Sequence, residues 1–346
     1  MTSPRLYWDC TDGHPFPSIY DEVTPNVLLA GFSVGQSRHF EARRSQHSRD
    51  VGVQVLKDAW QSEHVFPVQH IGNCFRIIRE RLGPIATSAL SRRGMRETFA
   101  GPSVSVTPEG SHQFPEHLKF FGFQSVNHET GHRADLENIG RHVDIAVEDA
   151  SELIGRERFA AHGIAIARAS AWAGPAGACF IIDPENALQL NPRDYPPLQL
   201  DSLLFSLAVV SWEVIAPRIE ERFETNQDIL GALIRGLSSF SEISIHTPLL
   251  KQDRASHLVS FSIAQCDGEF AAMLYDEQGI AVGSQSACLA QAGQPSEVLK
   301  ALSIDTAGHI RVSLPLESSL NDVERFLIAT QIVLQKINSE RAFLAE

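Results

Sequence analysis

The chain has 346 residues, 43% of them hydrophobic and 21% charged, the balance of a globular protein with room for one large or two medium cores. Its formal net charge of −13 argues against a nucleic-acid partner, because phosphate binding needs clustered Lys and Arg. The five cysteines (10, 74, 179, 266 and 288) form no CxxC pair and argue against a zinc site or disulfide framework, and no metal is expected.

The opening MTSPRLYWDCTDG lacks a basic-then-apolar leader, and no apolar run approaches a membrane span, so the expected setting is the cytoplasm, away from membranes. Arg5–Asp9 predicts a short strand before a turn at Thr11-Asp12-Gly13-His14-Pro15, and helical spacing of Val51, Val55, Leu56 and Trp60 predicts a helix over 36–61. From 64 to 182, short apolar runs alternate with helical stretches. These runs are His64–Phe66, Ile85–Thr87, Val104–Val106, Phe121–Phe123, Ile145–Val147, Gly163–Ile166 and Ala178–Ile182, the pattern of an open, largely parallel α/β sheet. The short basic run Ser91–Arg96 reads as a solvated helix start. Residues 201–239 give the longest helical pattern, with an apolar face of Leu203, Leu204, Leu207 and Val210. Beyond it, strands at 257–263 and 308–314 with helices at 295–303 and 320–338 predict an α+β C-terminal part; Asp322 and Glu324 suit the start of the last helix.

One loop stands apart. Gly283-Ser284-Gln285-Ser286-Ala287 is a small-residue stretch after a strand, ending in Cys288, shortly before a helix start at Pro295-Ser296-Glu297. An exposed loop thiol near a helix start is the setting of a reactive cysteine. The surrounding segment, with P-S-x-V-L-x-A-L at 295–302 and I-R-x-S-L at 310–314, resembles the corresponding region of NifS/IscS-type cysteine desulfurases. Weaker likeness extends forward to Tyr7-Trp8-Asp9 with Pro15, to Val126-Asn127-His128-Glu129-Thr130-Gly131, and to Gly174-Pro175-Ala176-Gly177. The resemblance implies a class V aminotransferase-like (fold type I) α/β architecture and a homodimer with sites at the subunit interface. It implies pyridoxal phosphate held on a lysine, a sulfur-accepting loop cysteine at Cys288, and a substrate-carboxylate arginine at Arg311.

Against that pattern, cofactor residues are missing. The Schiff-base lysine falls on Ala171 and the histidine before it on Ser170; no lysine lies between Lys119 and Lys251. The small-residue phosphate loop is replaced by Pro67-Val68-Gln69-His70-Ile71, and the ring-stacking histidine by Arg92. Asp149 matches the partner of the pyridine nitrogen, with Glu152 in place of a glutamine, so Asp149, Glu152 and Ala171 are vestigial cofactor positions and no cofactor is expected. Asp149 as a plain helix-start carboxylate, Arg311 as a buried ion-pair partner and Cys288 as an idle relic remain the structural alternatives.

The expected fold is thus a class V aminotransferase-like large α/β domain at 15–215 with a trimmed central sheet, plus a small α+β domain from 1–14 and 216–346 that carries the cysteine loop. The expected function is that of a sulfur-metabolism protein without pyridoxal-phosphate chemistry, using Cys288 as a persulfide carrier or docking on an active cysteine desulfurase or a sulfur-acceptor protein of iron–sulfur assembly. Two alternatives stand beside it: an active desulfurase with an amine supplied by a partner chain, and a non-catalytic regulatory or structural subunit.

Overall fold

The computed structural model describes residues 5–9, 40–191, 200–284 and 296–344. Every apolar run expected between 64 and 182 is a strand or part of one. These are β2 (Val65–Gln69), β3 (Ile85–Ser88), β4 (Ala100–Val106), β6 (Leu118–Gln124), β7 (Val143–Asp149), β8 (Ile164–Arg168) and β9 (Ala178–Ile182). With the short β5 (His112–Gln113) they form an eight-stranded sheet in the order β2-β9-β8-β7-β6-β3-β4-β5. The strands from β8 to β4 pair in parallel; β9, β2 and β5 join antiparallel.

Strand side chains alternate between faces, and a parallel sheet is covered on both, so both sets are apolar. In β8, Ile164 and Ile166 belong to one core with Phe75 and Ile78 of α2 (Ile71–Leu82) and with Met95 and Phe99 of α3 (Arg93–Phe99). Ala165 and Ala167 face the opposite core, against Leu56 and Trp60 of α1 (Phe40–Trp60) and Phe205 and Trp212 of α5 (Ser202–Ile215). The small α4 (Leu136–His142) covers the same side farther along, where Ile139 meets Phe121 and Phe123.

The pattern at 201–239 is two helices, α5 and α6 (Ile219–Leu237), separated by a 3-10 turn at Ala216–Arg218. Pro217 explains the interruption, since proline removes a helical N–H and crowds the preceding turn. By length and composition the stretch Ser202–Leu237 is apolar enough to cross a membrane, which corrects the expectation that no run reaches that size. The α5 residues Phe205, Ala208, Trp212 and Ile215 are nevertheless buried against the sheet, while Leu203, Leu204, Leu207 and Val210 remain half-exposed.

The C-terminal part is built on an antiparallel sheet, β10 (Ile243–Ile245), β11 (Leu258–Ile263), β14 (His309–Ser313) and β13 (Gly283–Ser284). Helices α7 (Gly268–Glu277) and α9 (Leu320–Leu344), with α6, pack on it; α8 (Glu297–Ala301) is the short helix expected there. The sequence pattern left β10 and α7 unassigned. β1 (Leu6–Tyr7) pairs with β12 (Ile280–Ala281), and Leu6 and Trp8 enter the core of this part, so the chain's first strand is bound to its last third.

At β4 the backbones approach closely. A Cβ on Gly101 would lie 2.2 Å from the Ile85 carbonyl oxygen, beside the register shift between β3 and β4. Gly101→Ala is expected to destabilise the fold by at least about 1–3 kcal/mol, as overpacking does, measured as a lowered urea midpoint at unchanged m-value.

Candidate functional site

In open α/β sheets the functional crevice lies beyond the carboxyl ends of the strands. Here those ends carry Gln124 (β6), Asp149 (β7) and Arg168 (β8), with Arg92 on the turn after β3. Asp149 is completely buried. Its Oδ2 accepts from Arg92 Nε at 2.7 Å, and Oδ1 accepts from the Ser151 amide at 3.1 Å. Burial alone would raise its pKa, but Arg92 and Arg168 outweigh burial and hold the carboxyl below its ordinary value.

Glu152, one short turn later, completes a second pair. Its Oε1 accepts from Arg168 Nη2 at 2.9 Å and lies 3.6 Å from Arg92 Nη2; its Oε2 is 3.7 Å from His257 Nε2. Its pKa too is lowered, burial being overcome by His257 and the two arginines. His257 has its own pKa pressed down to about 4 by burial and by Arg156, so it is neutral at physiological pH. Two guanidiniums and two carboxylates thus neutralise one another inside the protein.

Gln124 and His128 close one side. With the Gln124 amide oriented to satisfy both its atoms, its nitrogen donates to His128 Nδ1 and to the Leu90 carbonyl, each at 3.0 Å, and its oxygen accepts from Arg92 Nη2 at 3.3 Å. Burial, then Arg92 and Arg311, hold His128 well below its usual pKa. Asn127 fixes the loop: its Oδ1 accepts from the Glu129 and Thr130 amides, and its Nδ2 donates to the Leu90 carbonyl.

The site residues expected from sequence fall as follows. Ser170 and Ala171 are buried in the 3-10 turn Ala169–Trp172, which follows β8 directly. That turn is anchored by Trp172, whose Nε1 donates to the Ala208 carbonyl at 2.9 Å and whose ring packs edge-on to Trp60 and Trp212. No lysine reaches this region: Lys57 lies 3.7 Å from Glu63, Lys251 lies 3.7 Å from Asp228, Lys336 binds Glu277 at 2.6 Å, Lys119 stacks over Phe120, and Lys300 is exposed.

Asp149, Glu152 and Arg92 are brought together, whereas the expected solvated basic start at 91–96 is corrected. Arg92 is spent on the buried Asp149, and Arg96 is held by the Ala89 and Ser91 carbonyls, to which it donates, and by the exposed Glu297 at 2.7 Å. Arg168 and His257 escaped the sequence reading. Arg168 had one signal, a lone charge closing an otherwise apolar strand that is covered on both faces.

Arg311, on β14, points to the N-terminal strand. Its Nη2 donates to Asp9 Oδ1 at 3.0 Å, and its buried Nε has no hydrogen-bond partner among the described residues. Gly283 lets the backbone pass there, since a Cβ would meet Arg311 Nη2 at 2.9 Å and Asp9 Oδ1 at 3.0 Å. At the 67–71 segment, β2 runs on to Gln69, and His70 caps α2 by accepting the Gly72 amide on Nδ1 at 3.2 Å. Cys288 lies outside the described residues, in the segment that follows β13.

The aminotransferase class-V family model matches residues 213–326, a third of the chain. No curated protein sequence matches it. Among solved structures, a NifS-like protein superposes with a TM-score of 0.81 at 17% identity, over 96% of this chain and 99% of that one. A NifS-like protein from Rickettsia africae ESF-5 gives 0.81 at 14% over the same shares. The apo cysteine desulfurase of Thermococcus onnurineus NA1 gives 0.79 at 16%, over 96% of this chain and 95% of that one. At these identities the likeness establishes the fold: an α/β architecture of the NifS-like, fold type I kind.

The ion-pair quartet carries a stability prediction. Arg92→Ala leaves Asp149 buried without its nearest cation and is expected to cost about 3–5 kcal/mol. Asp149→Asn in the same chain should recover part of that loss, giving a coupling of about 1–3 kcal/mol in a double-mutant cycle by urea denaturation. Strict additivity of the two changes would contradict a coupled pair.

Proposed function

We propose that this protein belongs to sulfur metabolism by descent from cysteine desulfurases, performs no pyridoxal-phosphate chemistry, and receives sulfur on Cys288 from another protein. The observation that carries this proposal is the Arg92–Asp149–Arg168–Glu152 quartet. The residues present do not fit pyridoxal phosphate. Alanine supplies no amine at 171. Asp149, the carboxylate that would face the pyridine nitrogen, is committed to Arg92. The Gly72 amide at the head of α2, a natural phosphate donor, is capped by His70. A desulfurase using an amine from a partner chain finds no supporting observation, because an added amine would still meet a neutralised, filled pocket.

Receipt of sulfur then needs only a thiolate. The Cys288 thiolate attacks the terminal sulfur of a donor persulfide; a new S–S bond forms as the donor's S–S bond breaks, and the donor leaves as a thiolate with no net oxidation. Cys288 follows β13 in sequence, and β13 pairs with the Arg311 strand. Arg311 is already engaged by Asp9, so we assign it to holding the N-terminal strand rather than to a substrate carboxylate. In the same proposal the protein is a homodimer built on the half-exposed α5 face of Leu203, Leu204, Leu207 and Val210, a face that also offers a docking surface for an active desulfurase.

Two outcomes are expected. After treatment with a persulfide donor, intact-protein mass should rise by one sulfur atom in the wild type and not in Cys288→Ser; equal gain in both, or gain in neither, would transfer the protein to the class of structural subunits. Sedimentation velocity at micromolar concentration should give a dimer, and Leu207→Glu should shift it to monomer. A wild-type monomer would count against the α5 interface.

A further inference from the structure

Glu148 and Asp149 are consecutive on β7, so their side chains leave opposite faces of the sheet. Asp149 pairs in register with Ile166 and enters the quartet; Glu148 pairs with Ala165 and with Phe123 and faces the α4 side. There it forms the floor of a cleft of about 950 Å³. The walls come from the turn at 109–111, from the loop 132–136 that leads into α4, from the loop after β7, and from Pro248, Gln252 and Asp253 of the C-terminal part.

The cleft is unlike a packing defect. Glu148 is 1% exposed; the Ser125 hydroxyl donates to its Oε1, and among the described residues its Oε2 has no hydrogen-bond partner. A buried carboxylate oxygen left unmade is costly, which makes it the place where a donor from a ligand gains most. Burial pushes the Glu148 carboxyl up to about 7, against the pull of Ser125 and the His162 amide, so a cation beside it would restore the charged form. Around the mouth stand three further carboxylates, Glu109, Asp135 and Asp253, all exposed. The two guanidiniums of the lining are engaged outside it: Arg133 pairs with Glu157, and Arg158 with Glu220. Four carboxyl groups, Glu109, Asp135, Glu148 and Asp253, thus line the cleft beside two guanidiniums that are paired elsewhere. Among the described residues no group of three or more His, Cys, Asp or Glu is placed to hold a metal ion, so the chemistry favours an organic cation.

We propose that this cleft is a binding site for a small organic amine, its ammonium seated against Glu148 Oε2 at the floor and its far end near Asp253 and Asp135 at the rim. The site is separate from the quartet and from Cys288, and stands whether or not the chain carries sulfur.

The test is isothermal titration calorimetry on the full chain at mildly alkaline pH, with 1,4-diaminobutane, agmatine and L-lysine as probes and 1,4-butanediol as the uncharged control. At least one amine should bind saturably at one site per chain, and the diol should not. Glu148→Gln keeps shape and removes the charge; loss of one charge-assisted hydrogen bond should weaken binding about 10- to 100-fold. Its folding is checked by an unchanged circular dichroism spectrum. Asp253→Asn, on the exposed rim, provides a variant whose folding is not at stake and should weaken binding about 2- to 5-fold, in line with an exposed charge pair. Absence of saturable binding by all three amines, equal binding of the diol, or unchanged affinity in both variants would overturn the proposal.

Discussion

Two carboxylates placed within four residues of each other at the buried end of one strand set the terms for the rest of this structure. Asp149 and Glu152 are both nearly inaccessible, and an unpaired buried charge is among the costliest things a fold can contain. Their neutralisation falls to Arg92 on the turn after β3 and Arg168 at the end of β8. These two arginines reach the carboxylates from opposite sides along the sheet, and they link the 88–92 turn, the β7 end and the β8 end in one unit. Gln124 accepts a hydrogen bond from Arg92 and donates one to His128, which extends the unit to β6. His257 brings the C-terminal part against the same carboxylates. A crevice that in an open α/β sheet is the natural place for a ligand is occupied by the protein's own side chains.

The fold was largely legible in the sequence because burial on both faces leaves a simple signature. The alternation of Ile164, Ile166 with Ala165, Ala167, and of Cys179, Ile181 with Phe180, Ile182, announces strands covered by helices on both sides. The absence of a lysine between 119 and 251 was equally plain, whereas the buried 3-10 turn after β8 that holds Ala171 had no signal in the sequence pattern. The helical run at 201–239 read as continuous, because its apolar spacing persists through Pro217; the break is a backbone effect that hydrophobic periodicity does not register. The site was only half legible. Arg92 and Arg96 looked like a solvated basic patch because their acidic partners lie 57 residues away at Asp149 and on the distant α8 at Glu297. Ion pairs of that separation have no sequence period to reveal them.

The same alternation that sends Asp149 into the quartet sends Glu148 to the other face, so two consecutive acidic residues answer burial in different ways. One is paid in arginine. The other keeps an oxygen unpartnered at the floor of an open cleft, and its carboxyl titrates near neutrality rather than in the ordinary acid range. The strand presents a closed set of ion pairs on one side and an open cleft lined by carboxylates on the other.

The proposed absence of pyridoxal-phosphate chemistry rests on a crevice neutralised by the Arg92–Asp149–Arg168–Glu152 quartet as well as on the alanine at 171. It is tested most directly by titrating pyridoxal phosphate into the purified wild type and into Ala171→Lys while recording the absorbance spectrum. The account predicts that both spectra remain the sum of free protein and free pyridoxal phosphate, with no saturable new band. A saturable long-wavelength band in either protein, at one equivalent per chain and abolished by a substitution at Asp149, would contradict it.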